Sequence, residues 1–196
     1  MPWIVDYEQV LEQMRGQDLR CLYHNSGAFG FAPGTTVESV GWMGPDDPSL
    51  RPEARALVCR VDPPDERRLT DLVGRAWQTL LPGKAWLMPG SHWAYELDFG
   101  SRDWMPALLE HAGVDAGLLQ SRANAAAIEF SLRELPAFCH VVQGLLRMLL
   151  GSDFALAFPG RAAVCTLHHH KQVWWTSPDR QLVEALRQLP GRIPAG

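Results

Sequence analysis

A run of three histidines near the C-terminal end of the chain offers the residue types best suited to chemistry. The run lies within Thr166–Trp175 (TLHHHKQVWW), where β-branched and aromatic residues favour a strand. Because side chains alternate between the two faces of a strand, we expect His168 and His170 on one face and His169 on the other. Two imidazoles at this spacing can bind one zinc or other transition-metal ion. The segment therefore predicts a candidate metal site at His168 and His170.

An acidic segment earlier in the chain supplies groups that would complement these imidazoles. Polar and apolar residues alternate along His92–Phe99 (HWAYELDF), which predicts a second strand with one polar face. His92, Glu96 and Asp98 would share that face. Carboxylates there could act as further metal ligands or as a general base.

Weak internal similarity relates the two segments at a constant offset of seventy residues. The matched positions in the first copy are Ala56, Gly74, Leu80, Ala85, Pro89 and Gly90, and their counterparts are Ala126, Gly144, Leu150, Ala155, Pro159 and Gly160. With this offset Glu96 corresponds to Thr166, and Asp98 corresponds to His168. If the copies pair about a pseudo-twofold axis, the acidic face and the histidine face line one cavity. The residues expected to form this ligand pocket are His92, Glu96, Asp98, His168, His170 and Trp174.

The elements that must position these residues follow the same order in both copies. Each copy predicts an apolar strand, a long helix, a short strand, a Pro-Gly turn, a longer strand and a final helix. The strands alternate instead of forming continuous apolar runs, which favours an antiparallel or mixed sheet. We therefore expect an α+β fold of tandem β-α-β-β(-α) repeats, related by a pseudo-twofold axis, with the helices packed on one face of the sheet.

The predicted organisation is one compact domain with recognisable segments. Residues 1–53 would form an N-terminal helix, a strand and a long loop over residues 25–52, with at most one short strand at Thr36–Val40. Residues 54–113 and 125–190 would form the two repeats, residues 114–124 their connector and residues 191–196 a tail. A loop of that length in a compact domain is often functional.

Tandem β-α-β-β modules resemble those of gyrase-inhibitor-like effector-binding domains and, more loosely, those of the vicinal oxygen chelate (glyoxalase) family. The resemblance lies in the order of elements and covers no sequence motif. It implies a ligand site between the two modules.

The composition restricts the class of partner. A formal net charge of −4 and a pI near 5.9 disfavour binding to nucleic acid or to an anionic membrane surface. The N-terminus has acids where a signal peptide needs a basic and then an apolar stretch, and Val141–Phe158 is interrupted by polar residues. The four cysteines include no C-x-x-C pair. We expect a cytoplasmic protein with reduced thiols.

These observations lead to one function hypothesis and two alternatives. The first is a non-enzymatic soluble domain that has no resident cofactor and binds a small molecule or a protein partner at the junction of the repeats. The second is a metal-dependent enzyme, of hydrolase or lyase type, with zinc or another transition metal at His168 and His170. The third is a structural or interaction protein that has no ligand cavity.

Overall fold

The computed structural model describes residues 1–17, 19–22, 28–43, 57–62, 65–81, 83–89, 93–100 and 103–192 of the chain. Within these residues the strands are β1 (Trp3–Asp6), β2 (Leu19–Leu22), β3 (Ala28–Phe31), β4 (Glu38–Met43), β5 (Leu57–Arg60), β6 (Ala85–Pro89), β7 (Ala125–Phe130), β8 (Phe154–Ala157), β9 (Val164–His168) and β10 (Gln172–Ser177). The helices are α1 (Tyr7–Arg15), α2 (Glu66–Leu80), α3 (Trp93–Tyr95), α4 (Met105–His111), α5 (Ala116–Ser121), α6 (Leu135–Met148) and α7 (Arg180–Gln188). A π-helical turn over Glu96–Gly100 continues α3.

Eight of the strands form one mixed sheet in the order β1-β7-β6-β8-β9-β10-β4-β5. Strands β4 and β5 pair in parallel, and the other neighbours in this sheet pair antiparallel. Strands β2 and β3 form a separate antiparallel hairpin. The predicted α+β class and mixed sheet are confirmed.

Apolar layers cover both faces of the sheet at its centre. Along β6, Ala85 and Leu87 join the large core that contains residues of α2 to α7, whereas Trp86 and Met88 join a smaller core that contains residues of α1. The helices of the two predicted repeats thus join one core, and α1, which precedes the repeats, joins the other. Its amphipathic pattern could not show which face it would cover, because both faces of β6 are apolar.

The segment predicted as the acidic strand is helical. Residues 93–100 form α3 and the π-helical turn, with Trp93 fully buried against Phe154 and Leu97 also buried. Trp93 and Leu97 are four residues apart, so a helix places both on its inner side. A run this short satisfies both the strand and the helix period, and the packing of Trp93 decided between them.

The segment Thr166–Trp175, predicted as a single strand, belongs to a hairpin. Strand β9 ends at His168, a turn follows, and β10 begins at Gln172. Lys171 has φ = 59°, in the left-handed region that a non-glycine residue seldom occupies. The turn was missed because the left-handed position of such a loop is usually signalled by glycine or asparagine, and here it holds a lysine.

The repeat and its pseudo-twofold axis are not confirmed. In the first copy a helical segment follows β6, whereas in the second copy β9 and β10 follow β8. The strands that open the two copies also lie in different surroundings, because β5 is at an edge of the sheet and β7 lies between β1 and β6. The first copy therefore has a helical segment where the β-α-β-β order requires its last strand. The resemblance to tandem β-α-β-β modules depends on that order.

The N-terminal segment contains more strand than the sequence predicted. Strand β1 precedes α1 and pairs with β7. Within the long loop expected over residues 25–52, the described residues include β3 and β4, and β4 pairs with β10. Residues 25–27 and 44–52 of that loop lie outside the described part of the chain.

Several helices begin or end at residues that commonly cap helices. The Asp65 carboxylate accepts a hydrogen bond from the Arg68 backbone N–H at the start of α2. Gly113, two residues after the end of α4, has φ = 82°, in the left-handed region that favours glycine at a helix C-terminus. Asp179 caps the last helix, and the Ser177 hydroxyl accepts a hydrogen bond from the Asp179 backbone N–H. In the described residues no helix combines the length and apolar character needed to cross a bilayer.

We expect Gly41→Ala to destabilise the protein. A Cβ at Gly41 would lie 2.7 Å from the indole of Trp174, its cross-strand partner. Moving that ring should lower the free energy of unfolding by about 1–3 kcal/mol in urea denaturation. Gly151→Ala is the matched control, because nothing lies within 4 Å of its added Cβ. Equal stability of the two variants would contradict the close contact between Gly41 and Trp174.

Candidate functional site

The three histidines gather at the turn between β9 and β10, which we call the histidine turn (His168, His169 and His170). His168 pairs with Gln172 to close the hairpin, and the Lys171 backbone N–H donates to the His168 carbonyl at 3.0 Å. Because the chain reverses here, the expected alternation of faces ends at His168. The tight turn instead brings all three rings into contact, with centroids 4.2 to 5.0 Å apart.

Asp153 anchors the histidine turn from the neighbouring strand. It directly precedes β8, which pairs with β9. Its Oδ1 accepts from the His169 backbone N–H at 3.1 Å and lies 2.9 Å from His169 Nδ1. Its Oδ2 lies 3.8 Å from His168 Nε2. Sequence reasoning did not single out Asp153, although an aspartate that interrupts an apolar stretch beside the histidine strand was an available signal.

The hydrogen bonds assign different roles to the imidazole nitrogens. A carboxylate only accepts, so His169 Nδ1 donates to Asp153, and in the neutral imidazole this leaves the lone pair on Nε2. His168 Nδ1 accepts from the His170 backbone N–H at 3.2 Å. A metal ion needs an imidazole nitrogen that bears no proton, and a second ring nitrogen bonded to a carboxylate is the common orienting arrangement. His169 already has that arrangement.

A salt bridge fixes the other side of the turn. The Lys171 ammonium lies 2.8 Å from a carboxylate oxygen of Glu66, the first residue of α2. The hydrogen bond from Lys171 holds the pKa of Glu66 below its ordinary value. The histidine turn is thus attached both to the sheet, through Asp153, and to the helical layer, through Glu66.

The other residues predicted to line the site lie on different elements from the histidine turn or outside the described residues. Glu96 is 1% exposed on the π-helical turn, and the Asp98 carboxylate accepts a hydrogen bond from the Gln120 amide on α5. His92 lies outside the described residues. Trp174 lies on the sheet face against Gly41, and its indole N–H donates to the Gln172 side chain at 3.0 Å. Of the predicted set, His168 and His170 lie together in the histidine turn.

Helix α6 has grooves on two sides that the sequence did not predict. One lies between α2 and α6, where Gly74 lets the helices approach and a Cβ would meet the Cys139 sulfur at 3.0 Å. Burial, with a smaller contribution from Asp71, raises the pKa of Cys139 to about 11. The thiol is therefore protonated near neutral pH and is a poor nucleophile.

The second groove lies between α4 and α6 and is flanked by a pair of histidines. The rings of His111, at the end of α4, and His140, on α6, have centroids 4.5 Å apart. Burial, followed by repulsion from His111, lowers the pKa of His140 from its ordinary value of 6.5. The pair therefore favours the neutral state of His140.

Comparison of the chain with protein-family profiles, with curated proteins and with solved structures gave no match.

We expect the His111–His140 pair to make stability fall on acidification. Because the folded-state pKa of His140 lies below 6.5, the unfolded chain binds this proton first as the pH drops. The penalty is absent above the unfolded pKa and grows as the pH falls below it. Urea denaturation at about pH 7.5 and about pH 5 should show that wild type loses more stability than His140→Gln.

The variant His111→Gln serves as the internal control for this pH effect. It removes the repulsion and leaves the burial of His140, so its loss of stability should lie between those of wild type and His140→Gln. Parallel pH profiles for all three proteins would show that the pair does not couple folding to protonation.

Proposed function

We propose that the protein binds one divalent transition-metal ion at the histidine turn, with Asp153 as the group that orients the site. The proposal keeps the candidate metal site that the sequence predicted at His168 and His170 and adds His169 to it. The observation that carries the proposal is the clustering of three imidazoles on one turn, each offering a ligand nitrogen within 4.8 Å of the others.

The spacing of the nitrogens is compatible with a small inward movement onto an ion. Zinc–nitrogen bonds of about 2.0–2.1 Å place two nitrogens of a tetrahedral site about 3.3–3.4 Å apart. Nitrogens within 4.8 Å of one another can reach that separation by side-chain rotation of the three histidines. His168 and His169 are half-buried and His170 is exposed, so an ion would reach the turn directly from solvent.

The hydrogen bonds suggest an order of importance among the three ligands. His169 supports the proposal most directly, because Asp153 holds its Nδ1 proton and leaves Nε2 to bind. His168 must first release the hydrogen bond that its Nδ1 accepts from the His170 backbone. We therefore expect His169 to bind the ion first and His168 to join the site after this rearrangement.

A metal-dependent enzyme is the second candidate, favoured by the position of Asp153. Three imidazoles leave at least one coordination position for water, as in catalytic zinc sites with three histidines. A carboxylate 2.9 Å from one of these rings could accept a proton if it moved away from His169. Zinc-loaded protein and the zinc-treated His169→Ala variant should then differ in hydrolysis of p-nitrophenyl acetate, and equal rates would exclude this candidate for ester hydrolysis.

The metal proposal predicts specific losses of affinity. Untagged protein titrated with Zn²⁺ against a chromophoric indicator should bind one equivalent. We expect His169→Ala to weaken zinc binding by about tenfold or more, because it removes a ligand. Asp153→Asn should weaken it by about 10- to 100-fold, because it alters the hydrogen bond that orients His169. The matched control is His140→Ala, which removes a histidine of α6 that does not belong to the histidine turn and should leave zinc affinity unchanged.

Two results would contradict the proposal. One is the absence of stoichiometric zinc binding to protein that a thermal melt shows to be folded. The other is an equal loss of affinity in His140→Ala and His169→Ala, which would indicate scattered surface binding and would favour the structural or interaction protein.

A further inference from the structure

A pocket of about 340 Å³ lies between α4 and α6, separate from the histidine turn. Its volume is at the lower end of the range for small-molecule sites. The residues that line it are Trp104, Leu108, His140, Gln143, Gly144, Arg147 and Met148.

The absence of a side chain at Gly144 lets the two helices meet beside this pocket. A Cβ at that position would lie 2.5 Å from Leu108 Cδ1 on α4. His140, Gln143 and Arg147 fall three, four or seven residues apart on α6, so they project from one face of the helix. The close approach at Gly144 therefore sets a row of polar side chains opposite α4.

The two walls of the pocket differ in chemistry. The α4 wall is apolar and is formed by the Trp104 and Leu108 side chains, whereas the α6 wall carries an imidazole, an amide and a guanidinium. None of the described residues that line the pocket is acidic. A ligand that matches both walls has a flat apolar body and one anionic group.

Arg147 is available to bind such an anionic group. Glu66 interacts with Arg147 electrostatically, but the Glu66 carboxylate already lies 2.8 Å from the Lys171 ammonium. The planar guanidinium matches a carboxylate with two parallel hydrogen bonds, and the Gln143 amide can donate a third. His140, whose pKa is lowered by burial and by His111, is mainly neutral at about pH 7.5 and offers a hydrogen bond in place of a charge.

We propose that the α4–α6 pocket binds a small aromatic carboxylate, with its carboxylate on Arg147 and Gln143 and its ring against Trp104 and Leu108. The ring of the ligand would cover apolar surface that is otherwise open to water. The Arg147 guanidinium would make the pocket bind acids more tightly than their neutral analogues. This site shares no lining residue with the histidine turn. Its test therefore succeeds or fails independently of metal binding.

The experiment titrates the full chain with 2-naphthoate and with the neutral 2-naphthamide by isothermal calorimetry at about pH 7.5. We expect the acid to bind about tenfold or more tightly than the amide, because a hydrogen-bonded charge contributes more than a neutral group. Arg147→Gln should remove that preference. Gln143→Glu should weaken binding of the acid further, since it places a like charge beside the carboxylate.

The matched control is Arg133→Gln, which removes an exposed arginine that precedes α6 and should bind naphthoate as wild type does. Both pocket substitutions are at exposed positions, so folding should persist, and a thermal melt verifies it. The proposal is overturned if folded protein binds neither compound at millimolar concentration, if acid and amide bind equally, or if Arg147→Gln and Arg133→Gln behave alike.

Discussion

Burial of the central sheet on both faces is the constraint on which the other features depend. Every residue of β6 is buried, and its alternate side chains enter two different apolar cores. A polar group inside either layer would lose its hydration without a compensating partner. Side chains capable of chemistry are thereby displaced from the middle of the sheet to the ends of strands and to the grooves between helices.

The histidine turn illustrates this displacement. Leu167 of β9 is fully buried, whereas its successor His168 lies at the end of the strand and is part-exposed. The reversal of the chain at Lys171 then places three imidazoles and the carboxylate of Asp153 at one end of the sheet. Their proximity is a property of the hairpin, since an extended strand would have sent His169 to the opposite face.

One of the six matched pairs in the internal similarity, Gly74 and Gly144, has a physical explanation that does not need duplication. Gly74 and Gly144, which correspond at the seventy-residue offset, are both points where a helix packs tightly against a neighbour. The one contacts Cys139 across α2 and α6, and the other contacts Leu108 across α4 and α6. Close packing between helices favours glycine at both positions. This identity can therefore recur although β5 and β7 occupy different places in the sheet.

The sequence by itself determined the α+β class and most of the helices, and it singled out the histidine segment as a candidate site. Periodicity and capping are local properties, so residues such as Asp65 and Gly113 reveal them directly. Tertiary structure alone decided that residues 93–100 are helical, because the burial of Trp93 outweighs an ambiguous pattern. It also decided the partners of the site: Asp153 and the pocket beside Arg147 depend on contacts between elements distant in sequence, which no local pattern records.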